Sequence, residues 1–83
     1  MDSAVQAAEL NAIFRHALRA RRVECGFTQA ALAEYVGTTQ PFIAQLESGS
    51  RLPNLELLAK LAEALRTTPD ALLRSDIFLA KRA

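Results

Sequence analysis

The sequence predicts an all-α domain of five helices, and three observations carry that expectation. Apolar residues recur at spacings of three and four, the interval that lines one face of a helix. Apolar stretches are preceded by Ser, Thr or Asn, whose side-chain oxygens accept from the first free backbone N–H groups of a helix. The composition agrees: Ala and Leu dominate a hydrophobic content of 51%, Trp is absent, and Gly and Pro number three each, which favours helices over sheet. At 83 residues the chain reads as one domain, residues 1–83, a size that buries only about 60% of the unfolded surface.

Ser3-Ala4-Val5-Gln6 has the form of a capping box, so the first helix starts there. It runs to about Glu24, with Leu10, Ile13, Phe14, Ala17 and Leu18 as its apolar stripe and Arg22 one turn further along the inward side. Arg19 and Arg21 project elsewhere, either as phosphate contacts or as ordinary solvated charges. Cys25-Gly26 closes the helix, and Phe27 is placed for burial just before a cap at Thr28. The second helix is Gln29–Val36, with Leu32, Ala33 and Val36 on one face. Gly37 follows its last apolar residue, where a chain leaving a helix often needs positive φ. Thr39 caps the third helix, Gln40–Ser48, whose Ile43 and Leu46 are three apart, and Gly49 ends it.

Pro53-Asn54 interrupts the chain, and Asn54 caps a fourth helix with Glu56 in its first turn, suited to the helix dipole. Leu57, Leu58, Leu61, Ala62 and Leu65 form its apolar face, with Lys60, Glu63 and Arg66 outside. Thr68-Pro69-Asp70 supplies a cap, an N1 proline and a first-turn acid for a fifth helix. The chain beyond is too apolar for one buried face: Leu73, Ile77 and Ala80 align, while Leu72 and Leu79 lie on other sides. That surplus predicts a dimer interface contributed by roughly Leu72–Ala80, with Ile77–Ala80 either helical or a strand paired across the dimer.

Several function classes are excluded on these grounds. No apolar run approaches the ~20 residues of a membrane span, and no basic start precedes an apolar segment as in a secretory signal. A single cysteine cannot form an internal disulfide, which fits a reducing cytoplasm. His16 and Cys25 are nine apart on one helix, about 180° round from each other, so they cannot converge on a metal or a reaction. No metal, no cofactor and no enzyme activity are expected. Lys and Arg number ten against nine acids, so any anionic partner would be held largely by helix N-termini, backbone N–H groups and neutral side chains, assisted by a few arginines.

Two short helices joined by a Gly-containing turn, Gln29–Val36 and Gln40–Ser48, follow the helix-turn-helix plan. The segment resembles the phage repressor and Cro-type helix-turn-helix domains, the XRE family. The matching residues are Thr28-Gln29, Leu32-Ala33, Gly37-Thr38-Thr39-Gln40, Ile43, Gln45-Leu46-Glu47, Gly49, Arg51, Pro53 and Leu58-Ala59, within a span of about residues 18–73. The resemblance implies a repressor-like five-helix fold, a pairing of Arg22 with Glu47, and dimerisation through the C-terminal region.

At about 100° per residue, Ile43, Leu46 and Glu47 share one side of the third helix, with Phe42 at its edge. Pro41, Ala44, Gln45 and Ser48, flanked by Gln40, occupy the other side, where no side chain is large and apolar enough for packing to explain it. A Gln can bond adenine N6 and N7 bidentately, and Ala or Pro can lie against a thymine methyl. The resemblance makes Gln40, Pro41, Ala44 and Gln45 the base-reading positions, although Pro41 replaces a polar residue common among relatives. Gln29, at a helix start, and Arg51 are the phosphate partners. The expected DNA-contacting set is Arg19, Arg21, Thr28, Gln29, Thr38, Thr39, Gln40, Pro41, Ala44, Gln45, Ser48 and Arg51.

The function expected is a sequence-specific transcriptional regulator, simplest as a repressor. It acts as a homodimer on a palindromic operator in double-stranded DNA, with half-sites about one helical turn apart. The alternative is an antitoxin or other interaction module whose tail binds a partner protein.

Overall fold

The computed structural model describes residues 3–74. It contains α1 (Ser3–Glu24), α2 (Gln29–Val36), α3 (Gln40–Ser48), α4 (Leu55–Ala64) and α5 (Pro69–Leu73), with no strand among the described residues. The all-α, five-helix expectation holds. The expectation for Ile77–Ala80 lies outside the described residues.

The anticipated caps explain why four helices begin where they do. Thr28 Oγ1 accepts from Ala31 N at 3.0 Å, Thr39 Oγ1 from Phe42 N at 3.2 Å, Asn54 Oδ1 from Leu57 N at 2.7 Å, and Thr68 Oγ1 from Ala71 N at 3.1 Å. Each bond satisfies a donor that the first helical turn leaves free. Pro41 and Pro69 follow two of these caps in the first turn, where they break no ladder bond.

The ends of α1, α2, α3 and α4 share one turn geometry, closed by bonds from Phe27 N to Arg22 O (3.0 Å, around Gly26 at φ +80°), Thr38 N to Ala33 O (2.9 Å), Ser50 N to Gln45 O (3.0 Å) and Thr67 N to Ala62 O (2.9 Å). The left-handed residue of this turn is Gly37 after α2 and Gly49 after α3, at φ +81° and +84°. After α4 it is Arg66, at φ +55°. The exposed carbonyls there are met by α1: Arg21 Nε donates to Leu65 O at 2.7 Å and Nη2 to Arg66 O at 3.2 Å.

The core is assembled from every helix. Phe14, Leu18, Leu32, Ile43, Leu46, Leu61, Leu65 and Leu72 are fully buried. The α1 stripe is tight only from Phe14 onwards, since Leu10 remains 49% exposed. α5 seats Leu72 in the core and leaves Leu73 at the surface. α1 packs on α3 and α5, and α2 packs on α3 and α4, so α3 is held from two sides.

Arg66 carries a left-handed strain of about 1–2 kcal/mol, against an entropic penalty of about 0.5–1 kcal/mol for introducing Gly. Arg66→Gly is therefore expected to raise stability by up to about 1 kcal/mol. Lys60→Gly, within α4, should lower it by about the same amount. Denaturant midpoints measure both, and a destabilised Arg66→Gly chain would contradict this account of the α4 turn.

Candidate nucleic-acid interface

α3 divides as its sequence suggested. Ile43 and Leu46 are fully buried, and Phe42 packs against the core from the edge. Gln40, Pro41, Gln45 and Ser48 are exposed, and Ala44 is half-buried between them. The exposed side carries two amides, a hydroxyl and two small apolar surfaces, which matches the edges of base pairs better than it matches a protein core.

A chain of hydrogen bonds connects this face to the interior. Arg22 grips Glu47 with both arms, Nε to Oε2 at 2.6 Å and Nη2 to Oε1 at 3.0 Å, and its third nitrogen donates to Phe27 O at 2.7 Å. The side chains of the pair are 12% and 5% exposed. Gln29 Nε2 donates to Glu47 Oε1 at 3.1 Å, and Gln40 Nε2 donates to Gln29 Oε1 at 3.0 Å. A carboxylate only accepts, so the amide nitrogen of Gln29 must face Glu47 and its oxygen must face outward. Gln40 then has to present an N–H to that oxygen. The buried charge thereby dictates how an exposed amide on α3 is turned, and Gln40 keeps its oxygen and a second N–H for another partner.

The other predicted residues are placed as follows. The Gln45 side chain makes no hydrogen bond among the described residues, while its carbonyl accepts from Ser48 Oγ, Ser50 N and Ser50 Oγ. Arg51 lies beside Phe42, its guanidinium carbon 5.7 Å from the ring centroid. The hydroxyls of Thr28 and Thr39 are engaged as caps, and Thr38 is half-buried behind the turn. Arg19 is exposed on α1.

Arg21 is arranged differently from its expected phosphate role. Its guanidinium closes the end of α4 and pairs with Glu24 at 3.1 Å, so the structure offers no support for a DNA contact from it. Sequence spacing could show that Arg21 lies off the inward stripe, but not that the α4 carbonyls come to meet it. The bond between Gln29 and Gln40 was equally unforeseen; its only trace in the sequence is that each residue opens a helix.

Comparison with known proteins gives a consistent picture. Residues 18–72 match the helix-turn-helix family. Repressor protein C2 of Salmonella phage P22 is 42% identical over 60 residues, covering 72% of this chain and 28% of that protein. A structure of the P22 c2 repressor in complex with a synthetic operator superposes with a TM-score of 0.72 at 40% identity, covering 76% of this chain and 96% of that one. A restriction–modification controller protein from Aeromonas hydrophila superposes at 0.70 with 32% identity, covering 80% and 97%. An uncharacterised regulator of Mycobacterium tuberculosis is 33% identical over 55 residues, 66% of this chain. This chain thus spans 28% and 39% of the two curated relatives' lengths.

Removing one partner of a buried pair leaves an uncompensated charge and costs about 3–5 kcal/mol. Glu47→Ala should therefore destabilise the domain far more than Glu34→Ala, an exposed carboxylate expected to change stability by less than about 0.5 kcal/mol. Equal melting shifts for the two variants would refute a structural role for the pair.

Proposed function

The chain belongs to the helix-turn-helix family, and from that premise we propose that it is a DNA-binding transcriptional regulator that places α3 in the major groove. The observation that carries this reading is the exposed amide face of α3, with Gln40 oriented from the core through Gln29 and Glu47. Gln40 and Gln45 are the hydrogen-bonding base readers, and Pro41 and Ala44 form the apolar surface for thymine methyls. Gln29, Arg19 and Arg51 hold phosphates, joined by Ser48 and by the backbone and hydroxyls of the turn around Thr28, Thr38 and Thr39. Gln29 reaches a phosphate with the one N–H that its bond to Glu47 leaves free.

The proposed mechanism is repression by occupying an operator, as a homodimer on two half-sites about one helical turn apart. The repressor name and operator complex of the P22 relative support it. A dimer is supported by exposed apolar residues: Leu73 is 38% exposed where α5 ends, and Leu52 and Leu55 are 59% and 84% exposed around Pro53. An antitoxin-like role, with the tail capturing a partner protein, is the second reading, favoured by the same exposed Leu73. No helix among the described residues is long and apolar enough to cross a membrane.

Two predictions test this assignment. A chain ending at Arg74 should sediment largely as a monomer and bind its selected operator weakly. An equally dimeric truncated chain would move the interface to Leu52 and Leu55. The second prediction separates reading from holding. Gln45→Ala should lose about 1–3 kcal/mol of discrimination at one base pair per half-site and leave affinity for random duplex nearly unchanged. Arg51→Ala should weaken all duplexes together and flatten the salt dependence by about one phosphate contact. Titration against selected sites, single-base variants and random duplex across salt concentrations gives both answers. Uniform weakening by Gln45→Ala would mean that α3 is turned differently in the groove.

A further inference from the structure

We propose that Arg15, on the part of α1 that precedes the family-matched region, is an additional phosphate-binding residue that clamps the DNA backbone at the end of α3. The inference rests on the DNA-binding reading above and extends it to the N-terminal half of α1.

Three features of the structure place it there. First, Arg15 is laid directly over the end of α3. A Cβ built on Gly49 would stand 3.1 Å from Arg15 Cδ and 3.6 Å from its Nε, so the glycine admits the arginine stem as well as a left-handed turn. Second, the approach is fixed by a neighbour one turn earlier on α1: Asn11 Nδ2 donates to Gly49 O at 2.9 Å. Asn11 Oδ1 is buried without a partner among the described residues, and flipping the amide would set this oxygen against the Gly49 carbonyl, so the orientation is determined. Third, the guanidinium of Arg15 has no hydrogen bond or ion pair among the described residues.

Charge placement carries the argument further. Arg15 and Arg19 are four apart and so are neighbours along α1, with Arg22 further along towards its inward side. Arg22 and Arg15 both turn towards the end of α3, one to Glu47 and the other to Gly49. Glu47 neutralises Arg22 alone. Arg15 and Arg19 are thus left as like charges four residues apart on one helix, an arrangement that destabilises an isolated helix. A polyanion along this face relieves that repulsion. Exposed Ser48, just before Gly49, places the site at the edge of the surface that α3 presents to the groove.

The test uses the full chain and a mixed-sequence DNA duplex, with affinity measured as a function of salt for the wild type, Arg15→Gln and Arg15→Lys, alongside thermal melting. Each neutralised phosphate contributes about 0.9 to the slope of log affinity against log salt. Arg15→Gln is expected to reduce the slope by about 0.9 per bound protomer with a melting temperature no lower than that of the wild type, and Arg15→Lys to retain the wild-type slope. A wild-type slope in Arg15→Gln overturns the proposal, whether or not affinity falls, because Arg15 then only braces α3. A slope that Arg15→Lys fails to retain overturns it as well, since a point charge suffices for a phosphate. Absence of salt-dependent duplex binding by the wild type would remove the DNA-binding reading itself, an outcome distinct from either of these.

Discussion

The buried contact between Arg22 and Glu47 is the constraint on which the arrangement of the first three helices depends. Arg22 comes from α1, Glu47 from α3, and the remaining bonds of the pair reach the Phe27 carbonyl and the Gln29 amide at the start of α2. One charged pair thus fixes the mutual positions of three helix segments. Its net contribution to stability need not be large, because desolvating two charges offsets much of their attraction. Apolar side chains of equal volume could fill the site, but they would leave the Gln29 amide free to turn either way. What the ion pair supplies is direction: a fixed acceptor whose polarity passes through Gln29 to Gln40 at the surface.

A chain with ten basic and nine acidic residues is poorly suited to bind a polyanion only while its charges are counted together. Their placement is uneven. Glu24, Glu47, Glu56 and Asp70 each pair with an Arg or Lys. Glu34 and Glu63 line a shallow depression with Tyr35 between α2 and α4. Arg15 and Arg51 flank the end of α3, and Arg19 stands on the same face of α1 as Arg15. Exposed pairs contribute little to stability, but they remove carboxylates from the field that an approaching duplex meets. Near α3 the local balance is positive although the total is almost neutral.

The helix boundaries were legible because each depends on a few adjacent residues. Thr28, Thr39, Asn54 and Thr68 cap their own helices, and Gly37 and Gly49 end two of them. The inward position of Arg22 followed from its spacing after Leu18, whereas its partner came from the family resemblance alone. Other features depend on segments far apart in the chain. Arg21 meets carbonyls 44 and 45 residues away, and nothing in its local sequence marks it for that task. Arg66 adopts a left-handed turn without being a turn-forming residue, because Thr67 bonds back to Ala62 and Arg21 secures the exposed carbonyls. The apolar stripe of α1 extends one turn beyond its covered part, to the exposed Leu10, since periodicity reports which face is apolar but not where a neighbouring helix stops covering it.

The same distinction separates the two glutamines of the proposed reading face. Gln40 is already ordered by Gln29, so presenting its remaining donor and acceptor to a base requires little further loss of freedom. Gln45 has no such tether among the described residues, and fixing a long side chain of this kind costs up to about 1.5–2 kcal/mol of rotamer entropy. An untethered glutamine is fixed only by the base pair it bonds, whereas a tethered one presents its geometry in advance. Within one turn and a half of helix, α3 therefore combines a rigid polar group near its N-terminus with an untethered one near its middle. The rigid one owes its orientation to a buried carboxylate that never touches the groove.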